Sequence, residues 1–257
     1  MASVDVEDLR DRVKGMYRAV AADPQGEFHF EMGRTMALRL GYQAEDLDGI
    51  PAEAIDSFAG VGCPLSAAGI EPGERVVDLG SGSGMDAFVA GRHAGSTGEV
   101  VGVDMTDGQL AKARRLAQRD GVANVRFEEG LIETAPVADG SADVVISNGV
   151  INLCADKGGV FREVARILRP GGRMSISDIV TEKPLTEAIV CDATLWAACI
   201  GGAMQQDDYR AAIESAGLEV VKVEDNPEYR FVSDSAQGAT ATFGVKSVSI
   251  LARKPGT

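Results

Sequence analysis

Hydrophobic positions near the start of the chain recur at helical spacing. In VEDLRDRVKGMYRAVAA the residues Val6, Leu9, Val13, Met16, Tyr17 and Val20 fall on one helical face. A second helix is predicted over EMGRTMALRLG, ending at Gly41, and the run from Tyr42 to Pro64 reads as irregular. From Glu74 the pattern changes. Short apolar runs (ERVVDL, EVVGVDM, NVRFEEG, ADVVISN, RMSISDI) alternate with amphipathic stretches such as GQLAKARRLAQRD and FREVARILR. Strands alternating with helices imply a parallel sheet with right-handed crossovers. Residues 183–217 then read as helical, with an apolar stretch LWAACIGGAM and a polar helix DDYRAAIESAG stopping at Gly217. LEVVKVEDN and SVSILARK are two further strands, placed to pair at a sheet edge. Between them, residues 227–244 read as a long irregular stretch, either a lid or a mobile surface segment.

Composition narrows the field. The chain has 257 residues, with 25 Lys and Arg against 39 Asp and Glu, for a net charge of −14. No basic run exceeds Arg114-Arg115, so neither nucleic acid nor an anionic membrane is an expected partner. The acidic start MASVDVEDLRDR lacks the features of a signal peptide, and a cytoplasmic protein is expected. Four cysteines, Cys63, Cys154, Cys191 and Cys199, form no Cys-x-x-Cys pair, and His29 and His93 are the only histidines. Free thiols are expected rather than disulfides or structural zinc. The apolar face of the first helix has to be buried on its own sheet or on a second subunit, which leaves a monomer or a homodimer.

The densest chemical signal is VVDLGSGSGMDAF, where a strand ends at Asp78 and is followed by Gly80, Gly82 and Gly84 before a helix. Closely spaced glycines let the backbone approach a ligand and point amides at it. Gly82, Gly84 and Ala87 also satisfy the dinucleotide fingerprint, so the glycines alone do not choose a cofactor. Asp78 does choose. Its charge would repel a pyrophosphate and suit an ammonium group, which favours an amino-acid-bearing nucleotide over a nicotinamide cofactor. Asp104, at the end of the second strand, stands where a carboxylate can accept ribose hydroxyls.

With ILRPGGRMSISD and the two C-terminal strands, these motifs resemble the class I S-adenosylmethionine-dependent methyltransferases. The resemblance implies an α/β Rossmann-like fold, a mostly parallel seven-stranded sheet with an antiparallel C-terminal strand and an N-terminal helical extension. Residues 1–65 would form a helical cap, and residues 66–257 a cofactor-binding domain with a helical substrate insertion at about 183–217. Within that class the chain is most similar to the arsenite methyltransferases, through ERVVDLGSGSGMDAF, VVGVDMTDGQLAKAR, VRFEEGLIETAPVADGSADVVISNGVINL, FREVARILRPGGRMSISDIV and WAACIGGAMQQDDYR. The resemblance assigns Asp78, Gly80, Gly82 and Gly84 to the methionine half of the cofactor. It assigns Asp104 and Met105 to ribose and adenine, Leu131 and Ile132 to adenine, and Asn148 with Gly149 to the rim beside the sulfonium.

In that family three thiolates grip trivalent arsenic, a soft centre that prefers soft sulfur. Cys199 falls on a family cysteine. Cys63 lies close to another, within an alignment that can shift by two residues. The third is missing: where the family has SNCV this chain has SNGV, with Gly149 in the ligand position. Cys154 is a further candidate ligand, turning inward from the loop after strand 4, while Cys191 lies eight residues from Cys199. Each of the four thiols can equally be a small packed side chain. The departure points to an acceptor needing fewer protein ligands. Candidates are a methylated or thiol-bound trivalent arsenical held by Cys63 and Cys199, with glutathione as reductant, or a small thiol, sulfide or selenide. His29 would be the base for a neutral thiol, if it is not simply packed between its Phe neighbours. Trp196, Tyr209, Tyr229 and Phe231 are candidates for an aromatic wall or for packing of the cap. Another small-molecule methyltransferase, and a non-catalytic metalloid or cofactor binder, complete the alternatives.

Overall fold

The computed structural model describes residues 4–28, 30–191, 196, 200–232 and 234–256. His29 and Cys199, both singled out above, lie outside the described residues. Helix α1 (Val6–Ala22) starts where the Asp5 side chain accepts from the amides of Glu7 and Asp8, leaving Leu9, Val13 and Val20 on its buried face. The run expected to be irregular instead carries short helices. After α2 (Arg34–Arg39) come α3 (Ala44–Asp48), α4 (Ala52–Asp56) and α5 (Pro64–Ala68), the last with Pro64 at its first position. Helices of five residues complete barely more than one turn, too short for an apolar period to register.

Eight strands make the sheet among the described residues: β1 (Arg75–Leu79), β2 (Glu99–Asp104), β3 (Val125–Glu129), β4 (Ala142–Asn148), β5 (Leu168–Thr181), β6 (Met204–Gln205), β7 (Glu219–Asp225) and β8 (Lys246–Arg253). Their order is β3-β2-β1-β4-β5-β8-β7, with β6 pairing the end of β5 off that path. The first five are parallel, and β8 runs antiparallel between β5 and β7. The seven-stranded expectation therefore gains the two-residue β6, and β8 lies inside the sheet while β7 takes the edge.

Helices α6 (Met85–Ala94), α7 (Asp107–Arg119), α8 (Lys157–Ile167), α9 (Glu187–Val190), α10 (Gln206–Ser215) and α11 (Asp234–Phe243) complete the fold. The last corrects the reading of residues 227–244, half of which coil into α11. Alternate residues of β1 explain the continuous apolar runs. Val76 packs into one core layer with Phe88, Leu110 and Leu116, and Val77 into the other with Phe161, Val164 and Ile250. With both faces covered, each such side chain contributes roughly 2 kcal/mol of burial. A third apolar cluster joins Leu9 and Val13 of α1 to Val61, Leu153, Ile179, Trp196 and Ile200. The apolar face of the first helix is thus covered by this same chain. No helix of the described residues is long and apolar enough to cross a membrane.

Candidate active site

The carboxyl ends of β1, β2 and β4 open into a cavity of about 130 Å³, which α1 roofs with Val6, Leu9, Arg10, Val13 and Tyr17. Ligands of open parallel sheets bind outside these strand ends, where the strand order reverses between β1 and β4. The turn after β1 is tied to its neighbour strand, the amides of Gly80 and Ser81 donating to the Val103 carbonyl at 2.7 and 3.0 Å. Gly80 has φ +78°, and a Cβ there would stand 2.4 Å from Val150. No other residue leaves the approach to the cavity open at that point.

Three buried carboxylates line the cavity. Asp104 accepts from the amides of Gly82 at 2.9 Å and Thr106 at 2.7 Å, yet burial still raises its pKa. Asp86, in the first turn of α6, accepts from Tyr42 Oη and, at 3.1 Å, from Asn148 Nδ2; burial pushes it up to about 6. Asp78 is raised further, by burial first and then by the charges of Asp86 and Asp104, and its Oδ2 has no hydrogen-bond partner. A buried carboxylate oxygen left bare beside two others calls for a cation. S-adenosylmethionine brings an ammonium and a sulfonium, and a ribose for Asp104, so the donor set fits it. A pyrophosphate would meet three like charges.

Every residue assigned above to the cofactor lines this cavity except Gly84. Gly84 begins α6 at φ +94°, where a Cβ would stand 2.6 Å from the Phe127 ring, so it permits packing rather than contact with a ligand. Sequence reasoning passed over Asp86, Thr106, Gln109, Glu133 and the residues of α1. Asp86 carried one signal, an acid inside an otherwise apolar helix start, MDAFVAG.

At the end of β4, Asn148 is the organiser. Its Oδ1 accepts from the amides of Val61 at 2.8 Å and Gly62 at 3.3 Å, while its Nδ2 donates to the Gly62 carbonyl at 2.9 Å. The loop before α5 is thereby clamped to the end of β4. Gly149 follows at φ +71°, and a Cβ on it would lie 3.1 Å from Cγ1 of Val61. Position 149 therefore faces Val61, not Cys63. Cys63 caps α5 in the core layer with Met36, Tyr42 and Leu65, where burial, reinforced by the charge of Asp86, pushes its thiol up to about 12. It is not among the residues that line the cavity, and Cys154 is. Burial also pushes Cys154 up to about 12, helped by a hydrogen bond to Glu133, which pairs with Arg10 of α1 at 3.1 Å. Cys191 is half-buried at the end of α9.

The four aromatic candidates belong to the packing. Tyr209 is fully buried, edge-on to Phe161 at 5.2 Å, with its hydroxyl donating to Asp178 at 2.7 Å. Trp196 donates to the Val190 carbonyl at 2.6 Å, and Tyr229 meets Phe231 edge-on at 5.0 Å. None of them lines the cavity, where Tyr17 and Phe58 stand instead. His93, read from sequence as a surface residue, is half-buried and bonded to Asp46 at 3.0 Å.

Residues 70–217 match the family model described as a methyltransferase domain. The arsenite methyltransferase of Halobacterium salinarum is 37% identical over 99% of this chain and 69% of its own length. The chain belongs to the arsenite methyltransferase family. It is an S-adenosylmethionine-dependent methyltransferase with the class I Rossmann-like fold. The arsenite methyltransferase of Aquipseudomonas alcaligenes is 42% identical over 65% of this chain but only 50% of its own length, so the chain spans about half of that relative. Among solved structures, an arsenic(III) S-adenosylmethionine methyltransferase from Chlamydomonas reinhardtii superposes with a TM-score of 0.66 at 32% identity, over 88% of this chain and 75% of that one. A geranyl diphosphate methyltransferase in complex with sinefungin shares the fold, with a TM-score of 0.69 at 18% identity.

Proposed function

We propose that this enzyme methylates a trivalent arsenical that arrives already carrying carbon or thiol ligands, rather than bare arsenite. The observation that carries this reading is the meeting of Gly149 with Val61. The rim beside the donor site there offers a hydrogen atom and an isopropyl group, so neither position supplies sulfur to a soft centre. Cys154 is the one thiol among the described residues lining the cavity. A centre that keeps its own soft ligands needs few from the protein, and Cys154 and Cys199 are the thiols we assign to it. Cys63, one of the two ligands expected from sequence, we leave out of this assignment because it packs in the core layer with Tyr42 and does not line the cavity.

S-adenosylmethionine, when bound, supplies a methyl group on a positively charged sulfur. Asp78 would hold its ammonium, Asp104 its ribose hydroxyls, and Met105, Leu131 and Ile132 its adenine. Asp86, held by Tyr42 and Asn148, adds negative charge near the cationic end. The apolar residues of α1 exclude water, which strengthens each of these attractions and leaves alignment as the protein's main contribution to the transfer. Free thiols at Cys63, Cys154 and Cys191 fit a reducing, cytoplasmic setting, with glutathione as the accompanying thiol.

The test is methyl transfer from labelled S-adenosylmethionine to arsenite, methylarsenite, methanethiol, hydrogen sulfide and selenide, with excess glutathione. Labelled dimethylated arsenical formed faster from methylarsenite than label enters arsenite is the expected result. Labelled thioether with silent arsenicals would replace this reading with thiol methylation.

A further inference from the structure

Lys157 stands where an ammonium group is doubly disfavoured. It is 4% exposed, and it is the first residue of α8, at the positive end of the helix dipole. Taking such an ion out of water costs several kcal/mol unless partners compensate. Burial accordingly pulls its pKa down to about 8. A leucine or methionine would fill the space without that cost, so what the charge holds is informative.

Three partners surround it. Nζ donates to the Cys154 carbonyl at 2.9 Å and lies 4.8 Å from the centre of the Trp196 ring. The Asp178 carboxylate stabilises the ammonium electrostatically and is itself fixed by the Tyr209 hydroxyl at 2.7 Å and the Ile179 amide at 2.8 Å. The partners belong to separate stretches of chain: the cavity wall at Leu153–Cys154, β5, and the helical insertion at Trp196. Glycines let the wall and insertion abut. A Cβ on Gly202 would stand 1.9 Å from the Asn152 carbonyl oxygen and 2.6 Å from the Trp196 ring, and one on Gly201 would stand 2.4 Å from that ring. The insertion is thus seated on the wall through Trp196, and Lys157 is the charged tie between them.

We propose that Lys157 is a positioning residue for the methyl acceptor, holding the cavity wall at Cys154 against the segment seated at Trp196. This rests on the reading of that side of the cavity as the acceptor site. Lys157 does not itself line the cavity, so its removal is expected to act through the wall at Cys154. A desolvated cation over an indole is held more strongly than an exposed one, and the charge-assisted bond to the carbonyl adds to it.

The experiment compares the full-length chain with Lys157→Met, which keeps length and loses charge. The expected result is an acceptor KM raised about tenfold or more, kcat within about threefold and the S-adenosylmethionine Kd within about twofold. Trp196 is the only tryptophan in the chain, so its emission, without any substrate, reports the seat directly and is expected to shift in Lys157→Met. An unchanged acceptor KM with unchanged emission would overturn the proposal. So would parallel loss of cofactor and acceptor affinity with a lowered Tm, which marks a general brace. Should Lys157→Met fail to fold, Trp196→Phe, which keeps a ring under the ammonium, is expected to retain the parent KM within about threefold while Trp196→Leu does not; equal KM in both would equally overturn it. Kinetics are run on whichever acceptor the panel shows to be methylated. A thiol that is methylated while arsenicals are silent then refutes the proposed substrate, and the KM of that thiol still decides the role of Lys157.

Discussion

The two halves of the cavity are built on different principles. The donor half is polar and rigid: Asp78, Asp86 and Asp104 converge on a glycine turn whose amides are tied to β2. The half we assign to the acceptor is more apolar: Gly149, Val150 and Leu153 with one thiol, Cys154. A donor common to a large enzyme class dictates its charges and hydroxyl partners. The acceptor half carries the one departure read from sequence, Gly149 in SNGV.

The comparison is broken most sharply from the donor side. Asp104→Ala is expected to raise the S-adenosylmethionine Kd about 100-fold, the loss of two charge-assisted hydrogen bonds of about 1.5 kcal/mol each, with any acceptor. Isothermal titration calorimetry measures it. An effect below threefold would remove Asp104 from the site. On the acceptor side, Cys154→Ser is expected to raise the methylarsenite KM about tenfold while the cofactor Kd stays within twofold. Steady-state kinetics at saturating cofactor decide this, and unchanged kinetics would leave Cys154 as packing.

The same division explains what was legible beforehand. The donor half announces itself locally, because glycines and aspartates at fixed spacing within VVDLGSGSG and GVDM do their work next to one another. The parallel sheet was equally readable, since strands covered on both faces leave continuous apolar runs. Asp86 was not readable, because its partners Tyr42 and Asn148 come from 44 and 62 residues away. Nor was the pairing of Val61 with Gly149, which depends on Asn148 clamping a loop 87 residues earlier in the chain. The short helices between Tyr42 and Pro64 are set by burial of single residues such as Leu47 and Ile55, and α11 has a composition, DSAQGATATF, without an apolar period. Cys63, placed within two residues by sequence, stands in the core layer and not among the residues that line the cavity.

Proton concentration separates the halves more gently. The folded-state pKa of Asp86 is raised to about 6, so the carboxyl is neutral below that value and charged above it. A cationic cofactor favours the charged form, so Asp86 is expected to raise the S-adenosylmethionine Kd as pH falls through 6, by up to about tenfold per unit, on top of the dependence that Asp78, raised further, imposes at higher pH. Stability of the free protein carries the opposite sign. A raised carboxyl binds its proton more tightly folded than unfolded, so its contribution to stability is greatest below the unfolded value of 3.8 and declines as pH rises to 6. Asp86→Asn is expected to remove the contribution near pH 6 from both profiles, leaving that of Asp78. A Kd unchanged between pH 7 and 5 would place Asp86 outside the cofactor's field.

The smallest expected effect concerns the stretch read from sequence as a candidate lid. Tyr229 and Phe231 stack edge-on against one another and pack onto the third apolar cluster without lining the cavity themselves. A closing lid would contribute to acceptor binding, so removing its aromatic tips would raise KM with little change in Tm. A packed pair behaves the other way round: an edge-on aromatic contact is worth about 0.5–1.5 kcal/mol beyond its burial, and its loss falls on the folded state as a whole. Phe231→Ala is therefore expected to lower stability by about 1–2 kcal/mol in a urea titration, measured through the midpoint at constant m-value, while the acceptor KM stays within twofold. A tenfold rise in KM at unchanged midpoint would return these residues to the site and extend the acceptor half of the cavity to the segment before α11.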